Sequence, residues 1–157
     1  MLHHTKDKGD LAVGQVIGDL LQHGIQVCLP ISEHLPFDLI AVSPTMRDLR
    51  RVQVVYVSAK RGAIRVELRR KYADRRGVHT RRIALDHVDA FAIFSPQTDR
   101  VYYVRQDEIS ANLKSCLHLR IAASKNGQNK KIRTADRFIG AERLFGPVAQ
   151  VDRAGDF

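Results

Sequence analysis

Only two cysteines occur in the 157 residues, Cys28 and Cys116, and neither belongs to a CxxC pair. Two isolated thiols exclude a disulfide or zinc-ribbon framework and fit reduced, buried cysteines in a cytosolic chain. No apolar run approaches the roughly 20 residues that span a bilayer, and the opening MLHHTKDKGD lacks the apolar core of a signal peptide. Membrane-spanning and secreted classes are set aside, and a cytoplasmic location with access to the nucleoid is expected. Internal repeats and low-complexity tracts are missing. So are HExxH, GxSxG, GxxxxGK and GxGxxG, which removes the zinc-protease, serine-hydrolase, P-loop and dinucleotide-binding signatures.

What is present is the material of one domain, with 44% hydrophobic and 27% charged residues and enough length to bury a core without staples. Lys and Arg number 26 against 17 Asp and Glu, a net charge of +9. The excess is confined to Arg47–Arg82, where 13 basic residues face three acids for a local charge of +10. Ten like charges on so short a stretch repel one another unless a polyanion offsets them. Arginine dominance favours phosphate forks. A purely solvated face ranks below a nucleic-acid partner.

Val13, Val16, Ile17, Leu20 and Leu21 recur at helical spacing over Asp7–His23, with Asp7 at the cap and Gly24 at the stop. Gly14 and Gly18 leave that helix a flat side for packing against a sheet. Short strands follow: Ile25–Leu29, Phe37–Val42, Leu49–Ser58, an alternating Ala63–Arg70, His79–Leu85, Val88–Phe94, Arg100–Arg105 and Cys116–Ile121. Tyr72–Gly77 reads as a charged turn, 95–99 as a hairpin loop, and Ile132–Ile139 as a closing short helix. The order predicts an α+β domain over residues 5–139, a mixed β-sheet with flanking helices, and a C-terminal tail over 140–157.

Few residues carry chemistry. Asp38 lies in an apolar strand, where a carboxylate is costly unless paired, metal-bound or solvated. Gln53 sits mid-strand and shares a face with Val55, while Val54 and Tyr56 share the other. Asp10 lies on a helix able to pack over these strands. Two carboxylates and an amide oxygen suit Mg²⁺, which keeps waters for substrate phosphate. Each has a simpler reading: a strand-end carboxylate bonded by backbone for Asp38, a satisfied core amide for Gln53, a helix-cap carboxylate for Asp10. His34 reads as an exposed loop histidine, and His79, His87 and His118 are scattered. Of Tyr102 and Tyr103, one should face the core and the other the surface. Aromatic pairs of the kind that line an RNA-binding sheet are lacking.

Pro36-Phe37-Asp38 followed by Arg51-Val52-Gln53-Val54-Val55-Tyr56 resembles the PD-(D/E)XK nuclease superfamily, in the branch that includes a cyanobacterial intron-encoded homing endonuclease and its bacterial relatives. Lys8-Gly9-Asp10, Ser32–Ile40, Ser58-Ala59-Lys60, Val88–Ile93, Asp99–Val104 and Asn126-Gly127-Gln128 fit the same pattern, from about Thr5 to Phe138. The resemblance implies a restriction-endonuclease-like core, a metal carboxylate at Asp38 and a glutamine, Gln53, in place of the usual second acid. It implies Mg²⁺, with Mn²⁺ as the alternative, double-stranded DNA as partner, and a homo-oligomer, dimer or tetramer. Arg61, Arg65, Arg69, Arg70, Arg75, Arg76, Lys130 and Lys131 would hold the DNA. Two positions depart from the pattern. The family lysine two residues beyond Gln53 is Val55, and the family's helix glutamate falls on Val13. Lys60 or Asp10 would have to supply the missing charges. The reading is a metal-dependent DNA endonuclease with weakened or lost activity; the alternative is an inactive DNA-binding protein on a nuclease fold.

Overall fold

A computed structural model describes residues 5–82, 85–109, 116–122, 127 and 132–146, with backbone alone at 69–72 and 82. Helix α1 (Thr5–Gln22) buries Ala12, Val16 and Leu20 as one stripe, the spacing that places residues on a single helix face. Gly24 ends it at φ +71°, a conformation glycine adopts without strain. Gly14 and Gly18 lie on the exposed side, where an added Cβ would meet nothing within 4 Å. The helix packs through its branched and small apolar residues instead.

Nine strands follow among the described residues: β1 (Gln26–Cys28), β2 (Leu39–Val42), β3 (Leu49–Tyr56), β4 (Ala63–Glu67), β5 (Arg69–Asp74), β6 (Gly77–Arg82), β7 (Ala90–Ser95), β8 (Arg100–Arg105) and β9 (Cys116–Arg120). Five form a mixed sheet in the order β1-β2-β3-β7-β8, in which only β3 and β7 run parallel. α1 covers one face, with Val52, Val54, Ala92 and Tyr103 beneath it. The antiparallel pair β4–β9 covers the other, where Ile64, Val66, Leu117 and Leu119 meet Phe91, Ile93 and Tyr102.

This two-sided burial corrects one expectation. Tyr102 and Tyr103 are both buried, in opposite cores. Tyr103 is tied by its hydroxyl to Asp19 Oδ2 at 2.5 Å; burial and that carboxylate push its pKa far above the usual tyrosine value.

Four further expectations change. Tyr72–Gly77 is not all turn: β5 and β6 form a hairpin whose paired residues run from Arg69↔Arg82 to Asp74↔Gly77. The closing helix is two short 3₁₀ segments, Ala135–Phe138 and Ala141–Phe145, whose Ala135, Phe138, Ala141 and Leu144 are buried. Residues 140–146 therefore pack into the core, and 147–157 lie outside the described residues. Cys28 is exposed and Cys116 half-buried, both as free thiols.

The β3–β7 junction is pinned by a salt bridge. Arg51 donates from Nε to Asp89 Oδ2 (3.0 Å) and from Nη2 to Oδ1 (2.9 Å), while its backbone N–H reaches Oδ2 at 2.7 Å. The Arg51 hydrogen bond holds the Asp89 carboxyl below its ordinary value. A carboxylate with a lowered folded pKa stabilises the fold above the ordinary Asp range, near pH 4, and loses that contribution as pH falls through the lowered value. Asp89→Asn is expected to lower stability at pH 7 by about 1 kcal/mol, given the partial exposure of both side chains. Denaturant titrations at a series of pH values should show a shallower acid destabilisation than in the wild type. An unchanged acid limb would remove Asp89 from this role.

Candidate metal centre and basic cleft

β2 and β3 separate where the sequence turns polar. Asp38, just ahead of β2, still donates its backbone N–H to Val52 O (2.9 Å). β3 then runs on past the paired register of β2, which ends at Leu39↔Val52. In the fork, the Asp38 side chain replaces a strand partner: Oδ2 accepts from the Val54 N–H at 2.7 Å. The same oxygen accepts from Gln53 Nε2 at 2.7 Å, and Nε2 lies 3.4 Å from Val54 O. A carboxylate at the entry to an apolar strand is thereby satisfied by both backbone and amide.

The donor chemistry fits a hard cation. A half-turn of the Gln53 amide exchanges Nε2 for Oε1. The turned amide sets an amide oxygen beside a carboxylate oxygen and near the Val54 carbonyl, an arrangement that is repulsive unless a cation lies among them. Two side-chain ligands suit Mg²⁺, which retains several waters. Among the described residues there is no group of three or more His, Cys, Asp or Glu able to hold a metal, so a closed zinc-like site is not formed there. Asp10 lies exposed on α1 and belongs to no such group.

Val55, two residues along the same face as Gln53, opens onto a cleft of about 860 Å³. Lys8, Lys60, Arg61, Arg65, His118 and one acid, Glu67, also line it, so Val55 shares the cleft with four obligate cations. Lys60 is exposed at the turn that joins β3 to β4. Lys8 arrives from the first turns of α1, its Nζ 5.8 Å from the centroid of the Tyr56 ring, within cation–π range. Nothing in the spacing of the sequence brings Lys8 to Val55. Only the packing of α1 over β3 does, although Lys8-Gly9-Asp10 marks the segment. Arg65 donates from Nε to Cys116 Sγ at 3.2 Å, which raises its pKa further.

The basic stretch divides. Arg50 donates to Leu144 O (3.1 Å) and stacks on Phe145, and Arg51 is committed to Asp89; both hold the fold together. Arg61, Arg65, Arg75 and Arg76 are exposed. Arg69 and Arg70 occupy β5, and Lys130 and Lys131 lie outside the described residues. His34 is exposed, in line with its place in a loop.

The sequence profile of the PD-(D/E)XK endonuclease family matches residues 3–140. Among solved structures, the bacterial homing endonuclease I-Ssp6803I matches with a TM-score of 0.70 and 24% identity over 90% of this chain and 92% of that chain. At that identity the likeness is one of fold: an α+β, restriction-endonuclease-like architecture. No curated protein matches. Among the described residues, no helix is long and apolar enough to cross a membrane.

Proposed function

Since this chain belongs to the PD-(D/E)XK endonuclease family, we propose that it hydrolyses phosphodiester bonds of double-stranded DNA with Mg²⁺, or Mn²⁺ in its place, at a rate limited by Val55. The observation that carries this reading is the convergence of Asp38 and Gln53 at the fork of the sheet, 2.7 Å apart. Asp38, turned Gln53 Oε1 and the Val54 carbonyl would hold the cation. A divalent ion there supplies Lewis-acid charge to a phosphate and lowers the pKa of water.

The chain's own residues do the rest. The cations of the adjacent cleft hold the DNA backbone by charge-assisted contacts. Lys8 and Lys60 are the ammonium groups of the cleft, offered to a phosphate beside the fork. A homo-oligomer belongs to this reading, because two sites held together can cut both strands of a duplex in one encounter.

A second reading is favoured by one feature. Val55 packs with Val57 and Ala59 against the apolar cluster beneath β4–β9, which suits a DNA-binding protein that no longer cuts. Supercoiled plasmid incubated with the wild-type chain separates the two. Nicking that appears with Mg²⁺ or Mn²⁺ and stops with EDTA supports the enzyme; duplex binding without nicking under either ion sinks it and leaves the second reading.

A further inference from the structure

β5 and β6 form a two-stranded sheet of their own, and no other element packs extensively against it among the described residues. Such a ribbon is only marginally stable alone in water, and its composition works against it. Residues 69–82 hold seven basic residues and one acid, so this hairpin carries +6 of the chain's charge. Arg69 lies directly opposite Arg82, and Arg70 opposite Arg81, like-charge pairings that destabilise a ladder.

The tip is equally uneconomical. Asp74 pairs with Gly77 across a two-residue loop, where Asn-Gly is the favoured choice, yet the loop is Arg75-Arg76. Gly77 takes the positive φ of +122°. The single acid is used to build the turn: Asp74 Oδ1 accepts the Arg76 N–H at 2.7 Å and stands 2.9 Å from His79 Nε2. Both loop arginines are exposed.

Resting on the DNA-directed reading above, we infer that the β5–β6 ribbon enters the major groove of B-form DNA and that Arg75 and Arg76 contact base edges there. The dimensions fit one groove. The major groove, about 12 Å wide and 8.5 Å deep, admits a two-stranded ribbon without deformation, whereas the minor groove, about 6 Å wide, would first have to be widened. Six residues per strand carry the tip about 17 Å from the base of the hairpin at roughly 3.4 Å per residue, enough to reach the groove floor. Phosphates lining the groove offset the opposed arginine pairs at the base. The guanidinium fork matches guanine O6 and N7. Duplex RNA is a poor fit, because its major groove is too narrow for side chains to read.

The test uses the full chain with a fluorescent duplex of about 30 base pairs, unmodified or methylated at guanine N7. Wild type is expected to bind the unmodified duplex more tightly than the methylated one. Arg75→Ala/Arg76→Ala should bind at least about tenfold more weakly and lose the discrimination, with an unchanged melting temperature. Arg75→Lys/Arg76→Lys, which keeps charge and donors without the planar fork, should retain the salt dependence and weaken the discrimination without abolishing it. Equal binding by all three proteins, or competition by a minor-groove ligand in place of N7 methylation, overturns the ribbon while leaving the nuclease reading intact. Equal affinity for duplex RNA also overturns it. A wild type that neither binds nor cuts duplex DNA sinks the ribbon and the reading beneath it together.

Discussion

Asp38→Asn is expected to lower metal-dependent cleavage by about 10³-fold or more, the equivalent of some 4 kcal/mol of transition-state stabilisation removed with the cation. Asparagine is the informative replacement because Asp38 has two tasks. Its Oδ2 satisfies the Val54 N–H at the fork, and an alanine there would leave a backbone donor and the Gln53 amide without that acceptor. Such an orphaned donor costs about 1–3 kcal/mol of stability where water cannot replace the acceptor. Asparagine keeps an acceptor of the same shape and removes the charge. Asp38→Ala should therefore lose both stability and activity, and Asp38→Asn mainly activity. Plasmid nicking followed over time, with a thermal melt in Mg²⁺ and in EDTA, reads both tasks. An Asp38→Asn protein that nicks at the wild-type rate would place the chemistry elsewhere.

How much of this was readable from sequence depends on the distance over which each feature is determined. Local periodicity located α1, β3 and β8 closely, and the alternation of Ile64, Val66 and Leu68 with Arg65 and Glu67 put β4 the right way up. Asp38 and Gln53 were legible because a carboxylate and an amide inside apolar strands are anomalies whose neighbours cannot excuse them. Tertiary pairing was not legible. Arg50 and Arg51 count as surplus charge in the sequence, yet each is tied to a distant segment, Leu144 and Asp89 respectively. Part of the β5–β6 hairpin, Tyr72–Gly77, looks like a charged turn because its charged residues carry no strand preference. Its pairing comes from the backbone ladder. Gly14 and Gly18 invited a packing role that belongs to Ala12, Val16 and Leu20, one face away.

Val55→Lys is expected to speed cleavage by about 10²–10⁴-fold over the wild type, the range associated with one positioned acid–base or electrostatic group. Position 55 shares its face with Gln53, two residues or about 7 Å along the strand, and opens onto the cleft. A lysine stem can follow the path of the valine against Val57 and Ala59 while its ammonium extends into the cleft. Repulsion from Lys8, Lys60, Arg61 and Arg65, offset in part by Glu67, opposes it there and should weaken stability modestly. That same crowding would depress the new lysine's pKa. The gain must vanish in Val55→Lys/Asp38→Asn, because a cation without the metal site has nothing to assist. A wild type already as fast as Val55→Lys would mean that the cleft's own ammonium groups do the work. Lys8→Gln and Lys60→Gln would then each be tested for loss, and Val55→Lys should restore whichever of them fails.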